Sequence, residues 1–526
     1  MPNNSQHDID TSSRVTRRSF LSVGLGTTGL LLLTACGGAT APSTAKPDAK
    51  PAEATKPAAP AAPAASSPAA ASPAAASSPS SAAVASPAAG ASPGASPAAG
   101  ASPGASPSAG ASPAAAAKPA AAPVIGSNAS LRGTNLSVLQ WTSFVPAADE
   151  FFKKQLSDDF TKKTGINVTL ETVNANDLQP KIGAAIQSGS GPDLVLLQYN
   201  WAHIYQESVV DVSDVMAQVQ PAMGTVFPGL ESTAKVDGKW LSVPHHTVPN
   251  AIHYRKSWFQ EAGYSQFPKT FAELFEAGKK LKDKGYPLGQ ALAQSFGDPP
   301  TWCYPMLWAY GGQEVDQSGK VAINSPETIA AVKAMADAWR PAFDETGTGW
   351  DDSSNNRAFL AETVSATVNG ASIWWAARDQ KVPYFDDIGM ELMPAGPKGA
   401  FLFMLNHNYA VMKYSKNVEG AKEFLRWVLT DEVWMPWFEV NASFVGGVAD
   451  KQDNTPIWEK FPPVTRVFKG SAAKQRTPGF AGPFNQKAGL AQSKFVIVNM
   501  FAKGAQGTAP EQAVAEAERE LREIYG

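Results

Sequence analysis

The sequence predicts an α/β protein of two lobes behind a long unfolded leader and tether. Three observations carry this. From Leu136 onward strand-like and helix-like stretches alternate, the pattern of a doubly wound fold. The stretch from Leu131 to Gly526 is too long for one ordinary domain. The continuous apolar run Leu194–Leu197 is of the kind buried on both faces of a parallel sheet.

The chain opens with an address. Thr16-Arg17-Arg18-Ser19-Phe20-Leu21 is a twin-arginine pattern, an apolar run to Leu33 follows, and Leu33-Thr34-Ala35-Cys36 closes it. A basic start, a short apolar run and small residues before the cut make a secretory signal, residues 1–35. The apolar run is shorter than the roughly 20 residues a membrane-spanning helix needs. Leu-Thr-Ala-Cys resembles a bacterial lipobox, which implies lipid on Cys36, and Arg17 and Arg18 imply export in a folded state. Cys303 is then left without a partner, so the exported chain is not disulfide-built, and Cys303 reads as a buried apolar residue. Residues 36–130 are the lipidated cysteine and a tether of Ala, Pro, Ser and Gly, in which Gly-Ala-Ser-Pro recurs. Such a chain has little large apolar surface to bury against its ordering entropy, and its prolines favour extended segments.

The folded part starts with a strand at Leu136–Gln140. A helix follows from Glu150 to Lys163, with Phe151, Phe152, Leu156 and Phe160 on one face and Gly165 as its stop. Ile166–Val173 alternates as a strand, Asp177–Ser188 reads as a helix, and Gly189-Ser190-Gly191-Pro192-Asp193 turns into the Leu194 strand. Ligands of such sheets bind outside the carboxyl ends of the strands. Those ends carry Trp141 and Thr142, and Asn200 and Trp201. Pro510–Tyr525 has one apolar stripe, Ala513, Ala517, Leu521 and Ile524, and reads as a closing helix. Of the total charge of −3, the leader carries +1, leaving −4, which argues against a nucleic-acid partner.

Several pieces, in order, resemble the extracellular solute-binding proteins of bacteria, specifically the sugar-binding receptors of ABC importers that include maltose-binding protein. They are Gly191-Pro192-Asp193, Asp237-Gly238-Lys239-Trp240 to Pro244, His253-Tyr254-Arg255-Lys256, Pro268-Lys269-Thr270-Phe271, Thr367-Val368-Asn369-Gly370 and Ala421-Lys422-Glu423-Phe424. Arg255 stands where the family's usual residue is Asn. The resemblance covers everything after the tether. It implies a two-lobed, periplasmic-binding-protein-like (type II) fold with about three crossovers in its hinge, near Pro244–Asn250, Pro394–Phe401 and Gly446-Gly447. The lobes would then be 131–247 with 395–446, and 248–394 with 447–526. It also implies a monomer on the outer face of the cell membrane, with no cofactor and no catalytic step. Its partners would be a carbohydrate and the transporter's membrane and ATPase subunits.

A sugar offers a ring face to indoles and a rim of hydroxyls to amides, carboxylates and imidazoles. By the resemblance, one of Trp374 and Trp375 stacks on a pyranose, Asn200 takes hydroxyls beside Trp201, and Trp302 adds a second aromatic wall. Asn406 and His407 lie at a strand end near the second crossover, His245 and His246 at the first, and Phe444 before the third. Trp308 and Tyr310 read as core, and Trp240 and Trp258 as lobe packing. Asp193 reads as a structural turn residue. Adjacent residues on an extended segment point opposite ways, so His245-His246 is not expected to chelate a metal. A polyamine or other cation is the alternative ligand, but the positions carried over bring no cluster of Asp or Glu. A lipid-anchored glycosidase would need two carboxyls across one bond, and the pairs Asp351-Asp352 and Asp386-Asp387 read as solvated surface.

Overall fold

The computed structural model describes residues 123–526. The twin-arginine pattern, Cys36 and nearly all of the expected tether lie outside the described residues. Those described fall within one compact unit of the chain.

Eight strands organise it: β1 (Asn135–Trp141), β2 (Asn167–Val173), β3 (Leu194–Gln198), β4 (Val243–Thr247), β5 (Ala251–Arg255), β6 (Ala366–Asn369), β7 (Ile388–Glu391) and β8 (Asn406–Val411). The first sheet runs β2-β1-β3-β8-β4. Its first three strands are parallel, and β8 lies antiparallel to both β3 and β4. The second sheet is β6-β5-β7, all antiparallel. The first lobe thus carries the expected parallel sheet. The second carries a short antiparallel one, which the sequence did not predict.

The local chemistry of the first lobe is as expected. The first helix runs Pro146–Gln155, with proline in its first turn, where a missing N–H costs nothing. It continues through a wide turn at Leu156–Phe160 to Thr164, and Gly165 ends it at φ 72°. Ala175–Ser188 is capped by the Asn174 side chain and ends on Gly189 at φ 64°. Asp193 is structural: it accepts from the Ser137 amide at 2.8 Å and the Ser415 hydroxyl at 2.7 Å, tying β1, β3 and β8 together. Cys303 is fully buried.

The chain passes between the sheets at Val248–Asn250 and again between β7 and β8. The third passage comes later than Gly446-Gly447. Gly446 pairs with Thr247 and Ala449 with Val226, so this stretch still lies on the first lobe. Contact with β7 begins at the helical turn Pro463–Phe468. Helices Val496–Ala505 and Pro510–Tyr525 pack on Pro326–Ala342, while Gln486–Ser493 packs on the first lobe at Trp201–Ile204.

Trp374 and Trp375 sit on a helix, Ser372–Asp379. The helix that carries Trp302 begins at Asp298, and Asp352, expected as solvated surface, instead accepts the helix's first free amides, Gly297 N at 3.0 Å and Asp298 N at 2.8 Å. Asp387 is not solvated surface: it binds Arg255 Nε at 2.9 Å and the Ser257 amide at 2.7 Å.

Candidate functional site

Strand β1 delivers Trp141 to its carboxyl end, where the two lobes meet. Phe144 follows on a turn held by Asp149, which accepts from the Ser143 amide at 3.0 Å. Trp141 and Phe444 face each other with ring planes 11° apart and centroids at 6.2 Å. Phe144 meets Trp141 edge-on at 5.8 Å and is one of the few large apolar residues left exposed, at 38%. Phe444 is set by a turn in which Ala442 and Ser443 adopt φ of 49° and 68°, a conformation side chains rarely take. Backbone of this kind persists where the surroundings hold it.

Two small cavities flank this stack, each of about 20 Å³, room for about one water molecule. The inner one lies in the first lobe, between Trp141, Asp149, His245, His246, Trp437 and Phe444. The outer one lies between the lobes. Trp141, Phe144 and Phe444 form one wall and Asp298, Asp352, Asn369 and Ser372 the other, with Asn250 of the first crossover between them. Trp141 and Phe444 stand on the same lobe and leave no room for a ring between them, which would need about 7–8 Å, two carbon contact distances. The cavity of about 20 Å³ between the lobes is too small for a sugar, so a sugar-sized ligand requires the lobes to part.

The inner cavity is floored by histidines. His407 on β8 pairs with His246 on β4, and the next pair is Asn408 with Pro244, so His245 is the extra residue of a bulge. This overturns the expectation that adjacent side chains diverge. The Nδ1 atoms of His245 and His246 lie 2.8 Å apart, one necessarily donating and one accepting. His246 stacks on His407 at 4.5 Å, and His407 Nε2 meets Gln198 Nε2 at 3.0 Å. Burial pushes His245 and His407 down to about 3, and His246 well below its usual value. All three are neutral hydrogen-bonding groups. No group of three metal-binding side chains has metal-site geometry among the described residues.

The outer cavity holds carboxyls. Asp298 Oδ2 accepts from Asn355 and Asn369 amides, each at 2.8 Å. Burial and the neighbouring Asp352 push Asp298 well above the usual carboxylate range, and burial raises Asp352 also. Neither has a Lys, Arg or His partner among the described residues.

Of the expected ligand residues, Trp141, His245, His246 and Phe444 come together at the cavities, with His407 packed behind them. The others lie elsewhere. Thr142 is exposed and gives its amide to Val173 O at 2.7 Å. Asn200 donates to Asn485 O at 3.1 Å and lines neither cavity. Trp201 packs on Tyr199 and Phe296, and Trp302 on Phe271, Phe275 and Phe343 in the second lobe's core. Asn406 binds Tyr199 O and Thr233 Oγ1. Trp374 packs against Phe385, and Trp375 donates its indole N–H to Ala442 O at 2.6 Å, joining the second lobe to the turn that sets Phe444.

Sequence reasoning missed Phe144, Asp149, Trp437, Asn250, Asp298 and Asp352. Phe144 was findable, because it follows directly on the strand end that was singled out. Asp298 lies at the start of the helix that carries the candidate Trp302. Trp437 reaches the site from a distant helix that no local pattern ties to it, and Asp352 stands in an acidic pair that sequence alone places on solvated surface.

The model of the bacterial extracellular solute-binding protein family matches residues 141–433. A probable ABC transporter-binding protein of Deinococcus radiodurans is 24% identical over 395 residues, covering 71% of this chain and 90% of that one. The diacetylchitobiose binding protein DasA of Streptomyces coelicolor is 24% identical over 367 residues, 66% of this chain and 79% of its own. Maltose-bound MalE3 of Thermotoga maritima superposes with a TM-score of 0.65 at 19% identity, over 74% of this chain and all of MalE3. That likeness shows the two-lobed type II fold.

Proposed function

The chain belongs to the bacterial extracellular solute-binding protein family, whose members are the binding components of ABC importers and not enzymes, and we propose that it captures a carbohydrate between its lobes and delivers it to an importer's membrane subunits. The observation that carries this reading is the parallel Trp141–Phe444 pair at the lobe junction. Parallel aromatic faces suit the C–H faces of a pyranose, and the imidazoles, amides and carboxyls beside them suit its hydroxyls. DasA and MalE3, with a diacetylchitobiose name and a bound maltose, support a saccharide ligand.

Trp141, Phe444, His245 and His246 hold the ligand from the first lobe, with Phe144 at the rim. Asp298, Asp352, Asn369 and Ser372 meet it from the second. A ligand bonded to both walls favours the closed state by its differential affinity for it, and no chemical step is required. The Trp375–Ala442 hydrogen bond latches that state. Lipid on Cys36 anchors the chain on the outer face of the membrane, and residues up to about 130 span the distance to the binding lobes. Isothermal calorimetry against mono-, di- and trisaccharides tests the reading. Saturable binding of at least one saccharide, weakened in Trp141→Ala, is expected. Binding of none, with a polyamine binding instead, overturns it.

A further inference from the structure

We propose that the saccharide this cleft takes carries a protonated amine, held by Asp298 and Asp352 of the second lobe. The inference rests on the carbohydrate reading above and adds the ligand's charge.

Asp298 is only 5% exposed and lines the outer cavity. Its Oδ2 is engaged by two amide donors, while its other oxygen takes no hydrogen bond among the described residues. Asp352 lines the same cavity and is engaged by the Gly297 and Asp298 amides at the helix start and by the Ser295 side chain. Elsewhere in the second lobe a buried charge is matched: Arg255 pairs with Glu362 at 2.8 Å and Asp387 at 2.9 Å. Asp298 is a buried carboxyl with no cation, and such groups stay charged only when paired, while Asp352 beside it is partly exposed.

Neither cavity is lined by any Lys or Arg, while Asp149 adds a third carboxyl. A phosphorylated or acidic sugar would meet acids and no cation. A neutral sugar would leave the pair uncompensated. An ammonium group fits both, and the adjoining faces of Trp141, Phe144 and Phe444 add cation–π attraction. The groups facing the pair from neighbouring elements are Tyr199 and Asp351, with Asn355 and Asn369, and none is cationic. Burial and the neighbouring Asp352 raise Asp298, and burial raises Asp352. An ammonium beside them favours the ionised form of both, and no covalent bond changes.

The test titrates the full chain with a glucosamine disaccharide, its diacetylated form, maltose and spermidine, in two buffers of different ionisation enthalpy. The glucosamine disaccharide is expected to bind at least tenfold tighter than its acetylated form and maltose, with a buffer-dependent heat showing proton release. Asp298→Asn and Asp352→Asn should each erase the preference. Because Asp352 also caps a helix, Asp298→Asn, which keeps shape and amide contacts, is the decisive variant, compared at matched melting behaviour. Equal or tighter binding of the acetylated or neutral sugar, with buffer-independent heat, overturns the amine inference and leaves the carbohydrate reading standing. Spermidine binding with no saccharide binding overturns the carbohydrate reading.

Discussion

At the scale of single residues, fourteen tryptophans offered many stacking candidates, and burial among partners separates them. Trp141 ends a strand at a lobe boundary with Phe444 across from it. Trp302 has three Phe rings around it in the second lobe's core. The two should therefore differ in binding. Trp141→Ala and Phe444→Ala should each weaken ligand binding by about 30-fold or more, as truncating an aromatic anchor costs about 2 kcal/mol or more, and, being buried, should lower the melting temperature as well. Trp302→Ala should lose about 3–5 kcal/mol of stability and bind normally when folded. Paired calorimetry and thermal denaturation distinguish them. Arg255 stands apart from the site yet is equally specific. Its guanidinium lies 4.0 Å from the Tyr384 ring centroid and 4.4 Å from that of Trp258, and pairs with two carboxylates. Arg255→Ala leaves half-buried Asp387 without its cation and should cost about 3–5 kcal/mol. Asp387→Asn, which keeps an acceptor for the Ser257 amide, should cost less in the same denaturation assay.

At the scale of elements, the first lobe was legible because its signals are local. Alternation gave β2, an unbroken apolar run gave β3, and glycines at φ 72° and 64° marked two helix ends. The site was legible only in part, because it is assembled from element ends that tertiary pairing brings together. The bulge that turns His245 toward His246 depends on how β8 registers against β4, and Trp437 and Asp352 arrive from distant helical segments. Neighbouring sequence positions could not reveal either. A second buried group shows how elements couple to pH. Glu314, just after the helix Asp298–Tyr310, ties that helix's end to the C-terminal segment by accepting from the Gly479 amide at 2.7 Å. Burial pushes its carboxyl up to about 7. A carboxyl raised in the fold contributes stability that is fully present below its unfolded value, near 4.5, and is lost as pH rises toward 7. Glu314→Gln should flatten that part of the stability profile and leave the acid side unchanged. The buried histidines act in the other direction: held neutral, with His245 and His407 at about 3, they make the fold lose stability as pH falls from about 6.5 toward 3. Denaturant midpoints measured from pH 4 to 8 on the wild type and Glu314→Gln check both signs.

At the scale of the molecule, the apposed lobes leave cavities of only about 20 Å³, so function requires an opening motion that this conformation does not display. The bonds that close the cleft are few and identifiable. Phe296 N donates to Asn176 Oδ1 at 3.2 Å, the Tyr199 hydroxyl donates to Phe296 O, and the Trp375 indole donates to Ala442 O. The hinge strands are joined by Val248 N to Leu405 O at 2.7 Å and Thr247 N to Gly446 O at 3.0 Å. A motion that parts the lobes must exchange the first set with water while the strands within each sheet stay paired. Ligand, by bonding both walls, should suppress that motion. Hydrogen exchange of the full chain should therefore show added protection on saccharide binding at Phe296, in the crossover around Val248, and around Ala442–Gly446. Amides of β1 and β3 should be unchanged. Trp375→Phe removes the latch but keeps an aromatic ring. It should raise exchange around Ala442 without ligand and weaken affinity severalfold, because a looser closed state must be ordered at the ligand's expense. Uniform protection across both sheets would instead signal global stabilisation, and would remove hinge closure as the mode of capture.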